Sequence, residues 1–115
     1  MNSKLQNLSI VVPVYNEEKT LLELLKKIEV LKSGCNLEVI IINDGSSDNS
    51  RQIIDNNKDL YSKAIHLEKN SGKGRAVIEG IKECNYDYIL IQDADLEYDP
   101  NDIFMFLKEN EKFNY

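Results

Sequence analysis

The sequence predicts an α/β domain built on one parallel sheet with helices on both faces. Four apolar runs of strand length, residues 8–14, 37–42, 64–67 and 88–91, are rich in Ile, Val and Tyr and read as buried parallel strands. Stretches with apolar residues at three- and four-residue spacing separate them. The connections are short, so strand and helix alternate in the pattern of right-handed βαβ units.

After the first strand, residues 18–32 carry Leu21, Leu22, Leu24, Leu25, Ile28 and Leu31 on one face and charges on the other. Asn16 is the expected N-cap, Glu17 and Glu18 suit the positive end, and Gly34 marks the stop. A second helix is expected over residues 48–58, with Ile53 and Ile54 inward. A third is expected over 73–83, with Ala76, Val77, Gly80 and Ile81 inward. A last helix is expected from Pro100, which suits the first helical position, with Ile103, Phe104 and Leu107. Residues 109–115 follow it with no closing strand, so the chain reads as one domain, residues 1–115, cut at its C-terminal side.

The composition bounds the function. Of 115 residues, 42% are hydrophobic and 30% charged, the profile of a soluble globular domain. Twenty acidic against 14 basic residues give a net charge of −6, which argues against a nucleic-acid binder. Any phosphate ligand then needs a metal ion or a few local cations. Cys35 and Cys84 are far apart and His66 stands alone, which excludes a thiol-zinc site and leaves both thiols as packing groups of a reducing compartment. His66 reads as a structural strand residue. No stretch reaches the length of a membrane span or a signal-peptide core, and the chain reads as cytoplasmic.

Ligands of open α/β sheets bind at the carboxyl ends of the strands. The first end is followed by Tyr15, Asn16 and Glu17, the second by Asn43, Asp44, Gly45, Ser46, Ser47 and Asp48, the third by Asn70 to Gly74, and the fourth by Asp93, Ala94, Asp95, Leu96 and Glu97. Asp93 and Asp95 are the sharpest signal. Two carboxylates at alternate positions repel unless a cation lies between them, and Mg²⁺ or Mn²⁺ with a diphosphate is the fitting partner. Glu97 could supply a third oxygen, while Asp99 and Asp102 read as caps of the following helix. In residues 44–48, Gly45 permits a turn and Ser47 or Asp48 caps the next helix; Asp44, at the strand end, could also accept hydrogen bonds from a nucleobase. Gly72-Lys73-Gly74-Arg75 matches neither the P-loop nor the dinucleotide template. It either starts the third helix close to the sheet or brings backbone N–H groups, with Lys73 or Arg75, to a phosphate.

Four strings in order, SIVVPVYNEE at residues 9–18, VIIINDGSSD at 39–48, NSGKGRA at 70–76 and QDADLE at 92–97, resemble the N-terminal half of family 2 glycosyltransferases, including the dolichol- and polyprenyl-phosphate sugar transferases. The resemblance implies the Rossmann-like GT-A fold and a nucleotide-diphospho-sugar donor, UDP- or GDP-linked. By it, Pro13, Tyr15 and Glu17 line the nucleotide pocket, with Glu17 toward the ribose, Asp44 contacts the base, Asp93 faces ribose or metal, and Asp95 is the main ligand of Mg²⁺ or Mn²⁺; Lys73, from the glycine-rich turn, joins the expected nucleotide-binding residues. Glu97 replaces a Gln common in polyprenyl-phosphate mannosyl and glucosyl transferases and adds a negative charge. The string from Asp93 to Pro100 is more similar to bacterial members acting on lipid-linked or cell-envelope glycans than to polymer synthases. The general base and the lipid-phosphate or glycan acceptor pocket are expected beyond Tyr115, as is any attachment to the inner face of the membrane. Two alternatives come from other classes. One is an inactive nucleotide-binding fragment. The other is a haloacid-dehalogenase-type phosphatase, whose Asp-x-Asp lies near the chain start and is followed by Thr or Val, unlike Leu96 and Glu97 here.

Overall fold

A computed structural model describes residues 6–95. In chain order they form β1 (Gln6–Val14), α1 (Leu21–Val30), β2 (Cys35–Asp44), α2 (Ser50–Asp55), β3 (Lys63–Leu67), α3 (Lys73–Lys82) and β4 (Tyr88–Ile91), with 3₁₀ turns at Leu31–Ser33 and Lys58–Leu60. The sheet order is β3-β2-β1-β4 and every pairing is parallel. The chain builds outward from β1 to β3, then crosses back to lay β4 on the other side of β1. That reversal opens a crevice at the carboxyl ends of β1 and β4. The predicted fold class is the one observed.

Alternation in β1 explains the two cores. Leu8, Ile10, Val12 and Val14 point to one face, where they pack with Val39 and Ile41 of β2, Leu21, Leu24, Leu25 and Ile28 of α1, and Ile54 of α2. Val11 points to the other face and meets Ile40, Ile42 and Ala76 of α3. Burying each of the α1 side chains contributes about 1.5–3 kcal/mol. On the α3 face the helix approaches so closely that a Cβ at Gly80 would lie 2.4 Å from Val11 Cγ1.

The expected elements are present with shifted ends. α1 starts at Leu21, three residues later than expected, because the backbone carbonyl of Glu17 accepts from Thr20 N and Leu21 N in a separate turn, and Thr20 takes the N-cap position. Asn16 does not cap this helix. α1 stops through the 3₁₀ turn, where Gly34 N donates to Leu31 O, and α2 is a shorter helix than expected. Two burial expectations fail. β3 and β4 are edge strands among the described residues, and Tyr88, Ile89 and Ile91 of β4 are exposed. Ile81 is also exposed, because α3 sits over β1 and β2 and only Ala76 and Gly80 are buried beneath it. The expected helix from Pro100 lies outside the described residues.

Glu38 fixes the approach to β4. Its carboxylate accepts from Ser9 Oγ at 2.6 Å, Asn85 N at 2.7 Å and Asn85 Nδ2 at 2.6 Å. Burial alone would raise its pKa, but these bonds prevail and hold it below the ordinary range. The clasp ties the turn after α3 to β2, so β4 enters in register with β1, and Gln92 N continues the ladder by donating to Val11 O.

Candidate functional site

The four strand-end loops are bonded to one another. Asn16 takes a left-handed φ of 53°, and its Oδ1 accepts from Ser47 N at 2.7 Å and Asp48 N at 3.2 Å. Asp48 joins the same two loops in the reverse sense: Oδ2 accepts from Glu18 N and Oδ1 from Ser50 N, the latter satisfying the start of α2. These bonds keep the Asp48 carboxyl acidic, against the burial that would raise its pKa. Ser50 Oγ accepts from Glu17 N at 2.9 Å. Gly45, at φ 71°, allows the loop after β2 to turn; a Cβ there would meet Asn70 N and the Lys69 carbonyl carbon at 2.4 Å.

Asp44 ends β2, is 3% exposed, and holds the loop before α3. Its Oδ1 accepts from Ser71 N at 2.8 Å; its Oδ2 accepts from Gly72 N at 3.0 Å and from Asn70 Nδ2 at 3.3 Å. A carboxylate has about four lone-pair positions, so about one is left for anything else. This latch fixes Gly72, the N-cap of α3, and α3 has no side-chain cap. Gly72 and Lys73, at the start of this helix, border the crevice.

Together these loops enclose a cavity of about 410 Å³ whose walls include Pro13, Tyr15, Glu17, Lys73, Asp93 and Asp95. Its volume falls in the range of small-molecule sites. The expected residues of β1, β2, α3 and the Asp93–Asp95 turn thus meet in one place, and Asp44 borders it too. Lys73 Nζ lies 2.5 Å from Asp93 Oδ1. Burial raises the Glu17 pKa, and the neighbouring charges of Asp95, Asp48 and Asp93 push it further against a bond from Thr20. Carboxylates crowd here with Lys73 as the cationic side chain among the described lining residues. Among the described residues no three carboxylate, imidazole or thiol side chains converge as a ready metal cage. Glu97 lies outside the described residues.

Other candidates are elsewhere. Arg75 does not line the cavity; its guanidinium bonds Glu79 at 3.0 Å along the exposed side of α3. His66 lies on β3 with Nδ1 3.0 Å from Asn43 Nδ2, and burial lowers its pKa, which fits the structural role. Both thiols are free and donate within their own turns, Cys35 to Leu31 O and Cys84 to Gly80 O. Thr20 and Ser50 escaped the sequence reading. Thr20 Oγ1 donates to the carbonyl of Ala94 and so ties the Asp93–Asp95 turn to the start of α1. The only sequence signal for it is a hydroxyl one residue before an amphipathic helix.

A parallel sheet with this order and an acidic cavity at its switch point is the ligand-binding arrangement of an open α/β fold. The family described as Glycosyl transferase family 2 matches residues 9–115, and the chain belongs to it. It is 37% identical over 112 residues to the poly-beta-1,6-N-acetyl-D-glucosamine synthase of Staphylococcus epidermidis, a match covering 96% of this chain and 27% of that protein. It is equally 37% identical over 107 residues to the undecaprenyl-phosphate 4-deoxy-4-formamido-L-arabinose transferase of Proteus mirabilis, covering 87% of this chain and 32% of that one. Identity therefore favours neither the polymer synthase nor the lipid-phosphate enzyme. Among solved structures, S. aureus TarS residues 1–349 in complex with UDP-GlcNAc matches with a TM-score of 0.72 at 25% identity over 93% of this chain and 32% of that one. The fold is also that of glucosyl-3-phosphoglycerate synthase from Mycobacterium tuberculosis in complex with Mn²⁺, UDP and glucosyl-3-phosphoglycerate, with a TM-score of 0.65 at 23% identity over 77% of this chain and 33% of that one. The chain spans about a third of the length of the curated relatives it matches. Among the described residues no helix is long and apolar enough to cross a membrane.

Proposed function

We propose that this chain forms the donor half of a glycosyltransferase that moves a sugar from a UDP- or GDP-linked donor to a lipid-phosphate or cell-envelope glycan acceptor. The carrying observation is the cavity in which Glu17, Asp93 and Asp95 face Lys73 and the N-terminus of α3. A diphosphate entering so acidic a space is repelled unless a cation comes with it. Two carboxylates without His or Cys suit Mg²⁺ or Mn²⁺, hard ions that complete their shells with water and phosphate oxygens. Asp93 and Asp95 would hold the ion, with Glu97 as a further oxygen. When bound, it supplies charge neutralisation for the departing nucleoside diphosphate. The UDP-GlcNAc complex of TarS and the Mn²⁺ complex of the mycobacterial synthase support this choice of ligands.

The chain's own residues divide the remaining work. Pro13 and Tyr15 wall the nucleoside side, with Glu17 toward the ribose. The remaining lone pair of Asp44 accepts from the base, and Lys73 with the first N–H groups of α3 faces the phosphates. The general base and the acceptor pocket belong to the part of the longer relatives that this chain does not span. The nucleotide donor places the work in the cytoplasm, at the inner face of the membrane for a lipid-phosphate acceptor.

Calorimetric titration of the folded chain with UDP, GDP and ADP, each with Mn²⁺ and with chelator, tests the reading. Metal-dependent preference for UDP or GDP is expected. Absence of binding by a chain with a native circular dichroism spectrum refutes donor binding here and leaves a degraded relative that keeps the fold.

A further inference from the structure

The pair between Lys73 and Asp93 determines how a metal can enter the cavity. Lys73 Nζ is 2.5 Å from Asp93 Oδ1, a direct charge-assisted contact. The two side chains differ in freedom: that of Lys73 is 60% exposed and that of Asp93 28%. The Lys73 backbone is fixed, because Asp44 holds the N–H of the preceding Gly72. A flexible ammonium on an anchored helix start can therefore leave Asp93 while remaining at the cavity. Of the other cations on α3, Arg75 and Lys82 are both engaged by Glu79 and point along the exposed side.

An ammonium and a divalent cation cannot share one carboxylate without strong repulsion at such short range. Before a nucleotide binds, Lys73 pairs with Asp93, and a lone metal ion would have to displace it from that carboxylate. A diphosphate changes this, because its oxygens give the ammonium a new partner near the α3 N-terminus. We propose that Lys73 is a built-in counter-ion of Asp93 that holds off the free divalent cation and releases the carboxylate only when the nucleoside diphosphate arrives, so that metal and donor load together. The proposal rests on the donor-site reading above and adds an order of binding to it. In linkage terms, Lys73 raises the factor by which nucleotide increases metal affinity.

The test is Mn²⁺ binding to the 115-residue chain, followed by loss of the free-ion paramagnetic resonance signal, without nucleotide and then with saturating UDP or GDP. Lys73→Met should bind Mn²⁺ alone about tenfold more tightly than the unsubstituted chain, a magnitude set by removing one adjacent charge and reduced by solvent screening. Its nucleotide-induced gain in Mn²⁺ affinity should fall by at least the same factor. Lys73→Arg, which keeps the charge, should bind Mn²⁺ alone no more tightly than the unsubstituted chain, and native circular dichroism spectra of both variants exclude a folding defect. Nucleotide-dependent Mn²⁺ binding with no tightening in Lys73→Met overturns the counter-ion role and leaves the donor site standing. No Mn²⁺ binding by any of the three proteins, with or without UDP or GDP, overturns the metal reading and this inference with it.

Discussion

Asp44→Asn tests whether the second strand end is a structural latch as well as part of the cavity. The carboxylate accepts two backbone N–H bonds, from Ser71 at 2.8 Å and Gly72 at 3.0 Å, plus the Asn70 amide at 3.3 Å, while 3% exposed. An asparagine can turn its single oxygen toward only one of the two backbone donors, and its NH₂ then opposes the other. Leaving one buried N–H unmet costs about 1–3 kcal/mol, and exchanging a charged for a neutral acceptor at the other bond costs about 1 kcal/mol more. The expected loss is about 2–4 kcal/mol, or a fall in Tm of about 10–20 °C for a domain of this size. Thermal unfolding followed by circular dichroism reads it, with hydrogen exchange at Ser71 and Gly72 showing where the protection is lost. A Tm within about 2 °C of the unsubstituted chain would refute the latch, since a residue that only touched a nucleobase would leave the empty protein as stable as before.

Three further substitutions follow from the same structure. Gly80→Ala places a methyl 2.4 Å from Val11 Cγ1 and 3.2 Å from Ile42 Cγ1, both on buried β-branched residues; overpacking of about 1–3 kcal/mol outweighs a helix-propensity gain of about 1 kcal/mol. Gly74→Ala has nothing within 4 Å and should stabilise by about 0.5 kcal/mol, so the two urea midpoints should move in opposite directions. Glu17→Gln probes the crowding of carboxylates. The folded state raises the Glu17 pKa from its ordinary 4.5, so the ionised group lowers stability above the folded pKa, and that cost disappears as pH falls through it. Glu17→Gln should therefore be more stable than the unsubstituted chain at pH 7 and equal to it near pH 3; a gain that is the same at both pH values would show that charge is not the cause.

The fold class and the position of the cavity were legible because period and strand-end chemistry are local signals. The alternation of β1 and the three- and four-residue spacing of Leu21, Leu24, Leu25 and Ile28 need no long-range information, and these residues form the core. The failures are long-range. Ile89, Ile91 and Ile81 read as buried, yet exposure depends on which strand lies at the edge and which helix covers it, and spacing contains neither fact. Asn16 read as a helix cap by its neighbours in sequence, but its carbonyl is used by Ser47 and Asp48, some thirty residues away. Asp44 borders the cavity at the end of its strand, whereas its bonds to Ser71 and Gly72 depend on β2 and the α3 loop adjoining, which spacing does not contain.

Those long-range bonds also explain how a chain about a third the length of its curated relatives can hold a shaped cavity. Each strand-end loop is fastened to a neighbour by a polar group that is separate from most of the groups facing the cavity. Asn16 and Asp48 join the first and second ends, and Asp44 joins the second to the third. Thr20 joins the Asp93–Asp95 turn back to the first helix. The charges at the rim are thus held in place by direct hydrogen bonds between the loops that present them, which is how a site can keep like charges together before any cation arrives. The raised pKa of Glu17 is the residual sign of that repulsion, and the Lys73–Asp93 pair is its partial relief. Stability and binding are then opposed at the same residues: substitutions that relieve the crowding should firm the fold and weaken the site, whereas those that cut the fastening bonds should damage both.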